Sequence, residues 1–313
     1  MSLNEECSNQ FRGLKTTSIS DANIILSSVD FDLGCSCGSG AKEAPSVIRG
    51  LSSFLPPLSM DGDDLTDCKI YDIGSLNKDI NPKRSIEFHN AIKDRIAPYI
   101  KSNKLNIILG GDHSISIGPE QAFYDYAMSV GKIPVIIHLD AHPDICDFYD
   151  GSYYSHASPI RRAIDYGYKT ENIVLIGIRG YEKQETIYLN NHKEIKVYKA
   201  SFLNNDNVTY ALSEVIERFK DNNHLIYLSY DVDINDPSFA PGTGTPEAFG
   251  LSNRNVLKII KSLVKHLDVK VFDIVEVSPK LDVNNITSWL VLKMLYEIFS
   301  TLIKKGKLWN TLL

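Results

Sequence analysis

Apolar residues recur along this chain in two rhythms. Short runs rich in Ile, Val and Leu lie at 24–27, 70–73, 105–109, 135–139, 173–178, 196–198, 225–229 and 269–275, and they predict strands. Several are apolar on both faces, as strands covered by helices on both sides must be. Between them, apolar positions spaced for one helical face predict helices, among them 84–100, 208–220, 254–266 and 288–303. Strand and helix alternate over the whole length. That alternation predicts a mostly parallel sheet of about eight strands in a three-layer αβα sandwich. No Pro/Ser-rich linker and no internal repeat interrupts the pattern, so residues 21–313 are expected to form a single domain. Residues 1–20 show no periodicity and are expected to be a loosely ordered leader.

Polar residues gather where three of these strands end. Gly110-Gly111-Asp112-His113 follows the run 105–109, Asp140-Ala141-His142-Pro143-Asp144 follows 135–139, and Asp231-Val232-Asp233 follows 225–228. Open α/β sheets place their ligand sites at the carboxyl ends of strands. His113, Asp140, His142, Asp144, Asp231 and Asp233 are therefore candidates for one cluster. Each patch alone is a weaker signal, because acids after strands also cap helices and form turns. Together, four carboxylates repel strongly unless cations hold them, and a pair of divalent metals meets that need. Hard oxygen donors with some imidazole suit Mn²⁺ better than zinc. Two long loops, 145–158 and 235–252, directly follow ligand patches and are expected to wall the pocket.

The same residues carry a resemblance. GGDHS at 110–114, DAHPD at 140–144 and SYDVDINDP at 229–237 resemble the three signatures of the ureohydrolase (arginase/agmatinase) family. FDLG at 31–34, Gly40-Ala41, Pro45, YSHAS at 154–158, PGTGTPE at 241–247 and DIVEVSP at 273–279 extend the likeness over about residues 24–304. The resemblance implies hydrolysis of a guanidino C–N bond by an enzyme with two Mn²⁺ per subunit. It implies His113 on one ion and His142 on the other, with Asp140, Asp144, Asp231 and Asp233 shared between them. It further implies His156 as the proton donor to the leaving amine, Glu276 as the carboxylate that binds guanidinium, and a homo-trimer or homo-hexamer. Metal coordination brings the pKa of water from about 15.7 towards 7, which a poor electrophile such as a guanidinium carbon requires. Asp112 and Asp236, next to ligands, are expected to orient imidazoles or backbone. His138, inside a strand, is expected to pack in the core.

Composition narrows the partners. A net charge of -6 argues against nucleic acid or an anionic membrane surface. No apolar stretch in the sequence is expected to span a membrane, and the polar first 20 residues lack a signal-peptide core. Cys7, Cys35, Cys37, Cys68 and Cys146 form no disulfide or zinc framework and are expected as reduced thiols in a cytoplasmic protein.

The tail of the substrate is read from the first long loop. Animal-type arginases carry an Asn after the second metal motif that helps hold a carboxylate; here the position is Cys146. Residues 147–154 supply Asp147, Asp150, three tyrosines and no Lys or Arg, which favours a distal cation. PGTGTPE also resembles the agmatinase branch, whereas 144–147 and 154–158 are similar to plant-type arginases. Phe249 stands where the family commonly has glycine and is expected to narrow the rim. Agmatinase, releasing urea and putrescine, comes first, ahead of arginase and of guanidinobutyrase or formiminoglutamase. A metal-holding relative without turnover, and a deacetylase of related fold, are the remaining readings.

Overall fold

Strand β1 (Ile24–Ser28) is apolar and fully buried, and it seeds a sheet in which every pairing is parallel. The other strands are β2 (Ile70–Ser75), β3 (Leu105–Leu109), β4 (Ile133–Leu139), β5 (Ile173–Ile178), β6 (Lys196–Lys199), β7 (His224–Asp231) and β8 (Val269–Val275). In this computed structural model, which describes residues 11, 14–16 and 18–306, they pair in the order β2-β1-β3-β8-β7-β4-β5-β6. All eight strands expected from the apolar runs are present, several a residue or more longer than the runs themselves.

Helices connect them: α1 (Ala44–Leu51), α2 (Ile86–Ile100), α3 (Ile117–Ser129), α4 (Pro159–Tyr166), α5 (Lys183–Asn191), the single turn α6 (Ala200–Phe202), α7 (Val208–Phe219), α8 (Asn253–His266) and α9 (Ile286–Lys304). Local chemistry sets their starts. Ser85 caps α2 by accepting from Phe88 N, and Ser252 caps α8 by accepting from Asn255 N. One core layer joins one face of the sheet to α1, α7, α8 and α9; the other joins the opposite face to α2, α3 and α4. Fully burying a side chain such as Phe272 or Phe123 contributes about 1.5–3 kcal/mol.

Of the leader expected over residues 1–20, residues 1–10, 12, 13 and 17 lie outside the described residues; Phe11 and Leu14 are buried in the core and Lys15 bridges to Ile70. One expectation needs correction. Helix α9 is long and apolar enough to cross a membrane by length and composition, contrary to the reading of the sequence. Its most apolar stretch is 72% buried within the fold, so the core uses that apolarity.

The arrangement places the ends of β3, β8, β7 and β4 side by side. Residues immediately beyond them, at 110–113, 276, 231–233 and 140–144, share one edge of the sheet.

Candidate active site

The turn after β3 brings the first imidazole in. A Cβ on Gly111 would lie 1.6 Å from the Phe31 carbonyl oxygen, so only glycine allows the chain to pass there. Asp112 then caps the following turn, its Oδ1 accepting from Ser114 N at 2.9 Å and its Oδ2 from Gly34 N at 2.7 Å. It orients backbone, one of its two expected tasks. His113 follows with Nε2 at 2.9 Å from Ser229 Oγ. Its Nδ1 faces Asp140 Oδ2 and Asp144 Oδ2, both at 2.9 Å, and Asp231 Oδ2 at 3.2 Å.

The second imidazole, His142, has Nδ1 at 3.0 Å from Asp233 Oδ2 and 3.5 Å from Asp140 Oδ1. Backbone bonds lock the carboxylates: Asp140 Oδ1 accepts from His142 N, Asp233 Oδ1 from Ala141 N and Asp231 Oδ1 from Asp233 N. The donor atoms fall into two groups, each within 4.8 Å of one another: His113, His138, Asp140 and Asp144 in one, Asp140, His142 and Asp233 in the other. Asp140 belongs to both.

His138 has a role that the sequence did not suggest. It is buried in β4 as expected, but its ring stacks on His113 at 4.7 Å and its Nε2 lies 3.0 Å from Asp140 Oδ2. Alternation along the strand was the available signal, because residues 138 and 140 share a side. Ser229 was missed for the same reason, two positions before Asp231.

The electrostatics are those of an anion cage. Burial opposes a charged His113, yet Asp140, Asp144 and Asp231 outweigh it and hold the imidazole well above its ordinary range. His142 is raised in the same way, chiefly by Asp233 against burial. Burial with repulsion from neighbouring aspartates pushes Asp231 and Asp233 above the usual carboxylate range. Asp140 goes the other way, held well below it by His138 and His113 despite burial. These groups cannot all be carboxylates together without added positive charge. His113 Nδ1, Asp140 Oδ2 and Asp233 Oδ2 are buried close to other donor atoms but in no aligned hydrogen bond, an arrangement that fits a metal ion between them.

Above the cage, Glu276 and His156 meet. Glu276 follows β8 with φ 62°, and Asp144 has φ 51°, both in the left-handed region that such residues rarely adopt. Glu276 Oε1 accepts from His113 N at 2.8 Å and lies 3.7 Å from His156 Nδ1. Burial and Asp112 push the Glu276 carboxyl well up. His156 Nε2 is 3.0 Å from Ser36 Oγ.

A pocket of about 360 Å³ is lined by His142, Asp144, His156 and Asp231 and by Tyr149, Tyr181, Glu182, Glu185 and Glu247, whereas Glu276 is buried beside His156 and does not line it. The two acids expected to face a substrate tail do not line it. Asp147 is paired with Arg162 and Arg161, and Asp150 with Arg84 at 3.0 Å. Those arginines come from outside the loop, so the loop's own lack of basic residues was misleading. Tyr149 alone of the three tyrosines reaches the pocket. Tyr153 packs on Phe148 and Tyr154 on His89. Cys146 is buried and Phe249 is 85% exposed, and neither lines the pocket, so the expected narrowing by Phe249 does not occur. Besides Asp144 and Asp231, the acids lining the pocket are Glu182, Glu185 and Glu247, none of which the sequence assigned to the tail. Glu247 Oε1 lies 3.7 Å from His142 Nε2, and Glu185, pushed up to about 7 by burial, accepts from Ile145 N and Glu182 N.

Asp236 braces the second long loop by accepting from Ser238 N and Gly250 N, both at 3.0 Å. Cys35, Cys37, Cys68 and Cys146 are free thiols, and Cys7 lies outside the described residues.

Comparison with known proteins agrees with this geometry. The chain is 30% identical over 305 residues to an agmatinase of Halalkalibacterium halodurans, covering 95% of this chain and 98% of that one. It is 31% identical over 279 residues to a guanidinobutyrase of Pseudomonas aeruginosa, covering 88% and 84%. The crystal structure of the agmatine ureohydrolase of Thermoplasma volcanium superposes with a TM-score of 0.80 at 29% identity, covering 93% of each chain. The model of the arginase family matches residues 22–300, and the chain belongs to that family.

Proposed function

We propose that this protein hydrolyses the amidino C–N bond of a guanidino compound with a cationic tail, agmatine first, releasing urea and the amine. One observation carries the reading: Asp140 is common to two groups of metal-type donors beneath a pocket walled by Glu182, Glu185 and Glu247. His113, Asp140, His142, Asp144, Asp231 and Asp233 would hold two Mn²⁺, with His138 beside Asp140. Bound there, the metal pair supplies water acidic enough to act as a nucleophile near neutral pH.

The remaining work falls to this chain's own side chains. Glu276 offers a carboxylate to the guanidinium and fixes the plane of the carbon that is attacked. His156 stands beside it and gives the leaving nitrogen its proton, so that the amine departs neutral. Along the pocket wall, Glu182 and Glu247 add negative charge that favours an ammonium. A substrate with an α-carboxylate meets no Lys or Arg among the residues lining the pocket, which places arginine second. The reading carries with it a cytoplasmic setting and a homo-trimer or homo-hexamer, which sedimentation would test; a monomer at micromolar concentration would reject the assembly.

The deciding experiment measures urea release from agmatine, 4-guanidinobutyrate and arginine, with and without Mn²⁺. Agmatine should lead in kcat/KM, and activity should depend on the metal. If arginine wins by tenfold or more, the pocket wall has been misassigned; if no guanidino compound releases urea, the reading fails.

A further inference from the structure

Residue 36 lies in the connection between β1 and α1, far in sequence from every group assigned above, yet its hydroxyl touches the proton donor. Ser36 Oγ is 3.0 Å from His156 Nε2. The opposite ring nitrogen, Nδ1, faces Glu276 Oε1 at 3.7 Å. The two nitrogens of His156 therefore look in two directions, one toward the carboxylate that is to hold the guanidinium and one toward the pocket wall. The imidazole is held in this pose by backbone as well: His156 N donates to Gly34 O at 3.2 Å, and Gly34 N donates to Asp112 Oδ2 at 2.7 Å. Asp112 thus anchors the segment that grips the histidine loop.

The contact does not stop at Ser36. The Tyr149 ring packs edge-on against His156 with centroids 5.9 Å apart, and its phenol is near enough to Ser36 and Glu182 for both to act on its acidity. Ser36, Tyr149, His156 and Glu182 all line the same pocket. The order is His156, Ser36, Tyr149, Glu182, running from the reacting end to the wall.

We infer that Ser36 holds His156 as the neutral Nδ1–H tautomer and, with Tyr149 behind it, delivers a proton from the pocket mouth to Nε2 as Nδ1 protonates the leaving amine. This rests on the reading that His156 is the proton donor. The step balances without any co-reactant. The Ser36 O–H bond breaks as an N–H bond forms at Nε2. The serine oxygen takes the proton of Tyr149, and the phenol takes one from solvent at Glu182. One proton enters from water for each one lost to the amine, and neither hydroxyl is consumed; the ring, left as the Nε2–H tautomer, is reset by the reverse transfer when Nδ1 takes the proton released by the next attacking water and Nε2 returns its own to Ser36. Imidazole suits the task because it accepts at one nitrogen what it releases at the other.

The test uses the full chain with Ser36→Ala, Ser36→Thr and Tyr149→Phe. In Ser36→Ala, kcat for agmatine should fall by about tenfold with KM little changed, less than the full contribution of a general acid. Ser36→Thr, which keeps the hydroxyl, should retain most of the rate, and added imidazole buffer should restore Ser36→Ala. Tyr149→Phe should fall in the same direction and respond to the same buffer. An unchanged kcat in Ser36→Ala overturns the inference, and so does a loss that imidazole does not restore, since orientation alone would then explain it.

A second measurement is independent of turnover. The ¹⁵N resonance of His156 Nε2 in the metal-free protein, assigned by its loss in His156→Ala, should move in Ser36→Ala and return in Ser36→Thr. A wild-type protein that releases no urea fails the functional reading while this resonance still reports on the Ser36 bond. A resonance that does not move in Ser36→Ala overturns this inference alone.

Discussion

At the floor of the pocket, the donors sit on or just beyond the last residues of β3, β7 and β4, and within each patch a backbone bond two positions away sets the carboxylate before the patches meet across the sheet. Asp140 holds His142, Asp231 holds Asp233, and Asp112 holds Ser114. At the rim, the partners come from outside the loop: Asp147 is bound to Arg162, 15 residues away, and Asp150 to Arg84, 66 residues away. The floor is made by strand geometry and the rim by packing between loops. Charge therefore means different things in the two places. In the floor it is concentrated on clustered carboxylates, whereas the acids of the 145–158 loop are already paired with arginines, and the further acids lining the pocket are Glu182, Glu185 and Glu247.

If that contrast is right, the floor should tolerate nothing. Asp140→Ala or Asp233→Ala should abolish urea release and lose more metal affinity than the about 10–100-fold typical of groups that only support a ligand. Elemental analysis of Mn²⁺-loaded protein should give two metals in the wild type and fewer in either variant. A fully active variant at either position would sink the assignment. His156→Ala should keep its metals and fold and lose about 10² to 10⁴ in kcat. Loss of metal in that variant, or no loss of rate, would move His156 out of the role given to it.

The layer beneath the rim can be probed by pH. His89 is fully buried among Phe31, Phe88 and Tyr154, and burial depresses its imidazole from 6.5 to about 3. The folded state favours the neutral ring, so its contribution is whole above about 6.5 and is lost as pH falls towards 3. Across that window it should cost about 1.4 kcal/mol per pH unit. Urea-melt stability measured from pH 7 to pH 4 should fall accordingly, and His89→Phe should flatten the slope. An unchanged slope would mean that other groups govern acid stability.

The rim itself should respond selectively. Glu182→Gln and Glu247→Gln should each lower kcat/KM for agmatine by about tenfold, or 1.4 kcal/mol, with a smaller effect on guanidinobutyrate. Smallest of all, Asp147→Asn and Asp150→Asn should change kcat/KM by less than about 0.5 kcal/mol, because their charges already pair with arginines at a partly exposed surface. If Asp147→Asn proved as damaging as Glu247→Gln, the distinction between the paired loop and the acidic wall would collapse.

Much of the fold was legible in advance because it is written in short-range periodicity. Runs such as 105–109 and 173–178 are apolar throughout, and strands so buried can only sit between helices. The ligands were legible because each patch follows such a run directly. His138 and Ser229 were open to the same logic two residues upstream, and were passed over because a histidine or serine inside an apolar strand resembles core filler. Phe11 and Leu14 were hidden for the opposite reason: two isolated apolar residues in a polar stretch carry no period, and only the fold shows the core that receives them.

The sequence alone determined that this is a parallel α/β sheet with a ring of carboxylates and imidazoles at its carboxyl edge, since both follow from residues adjacent in the chain. Only the tertiary structure decided that Asp140 stands between two donor groups, that Asp147 and Asp150 are taken by arginines, and that Ser36 meets His156. Strand alternation and turns act over a few residues, so a sequence displays them. Which loop reaches which charge depends on how distant segments pack, and pairing in space obeys Coulomb's law without regard to distance along the chain.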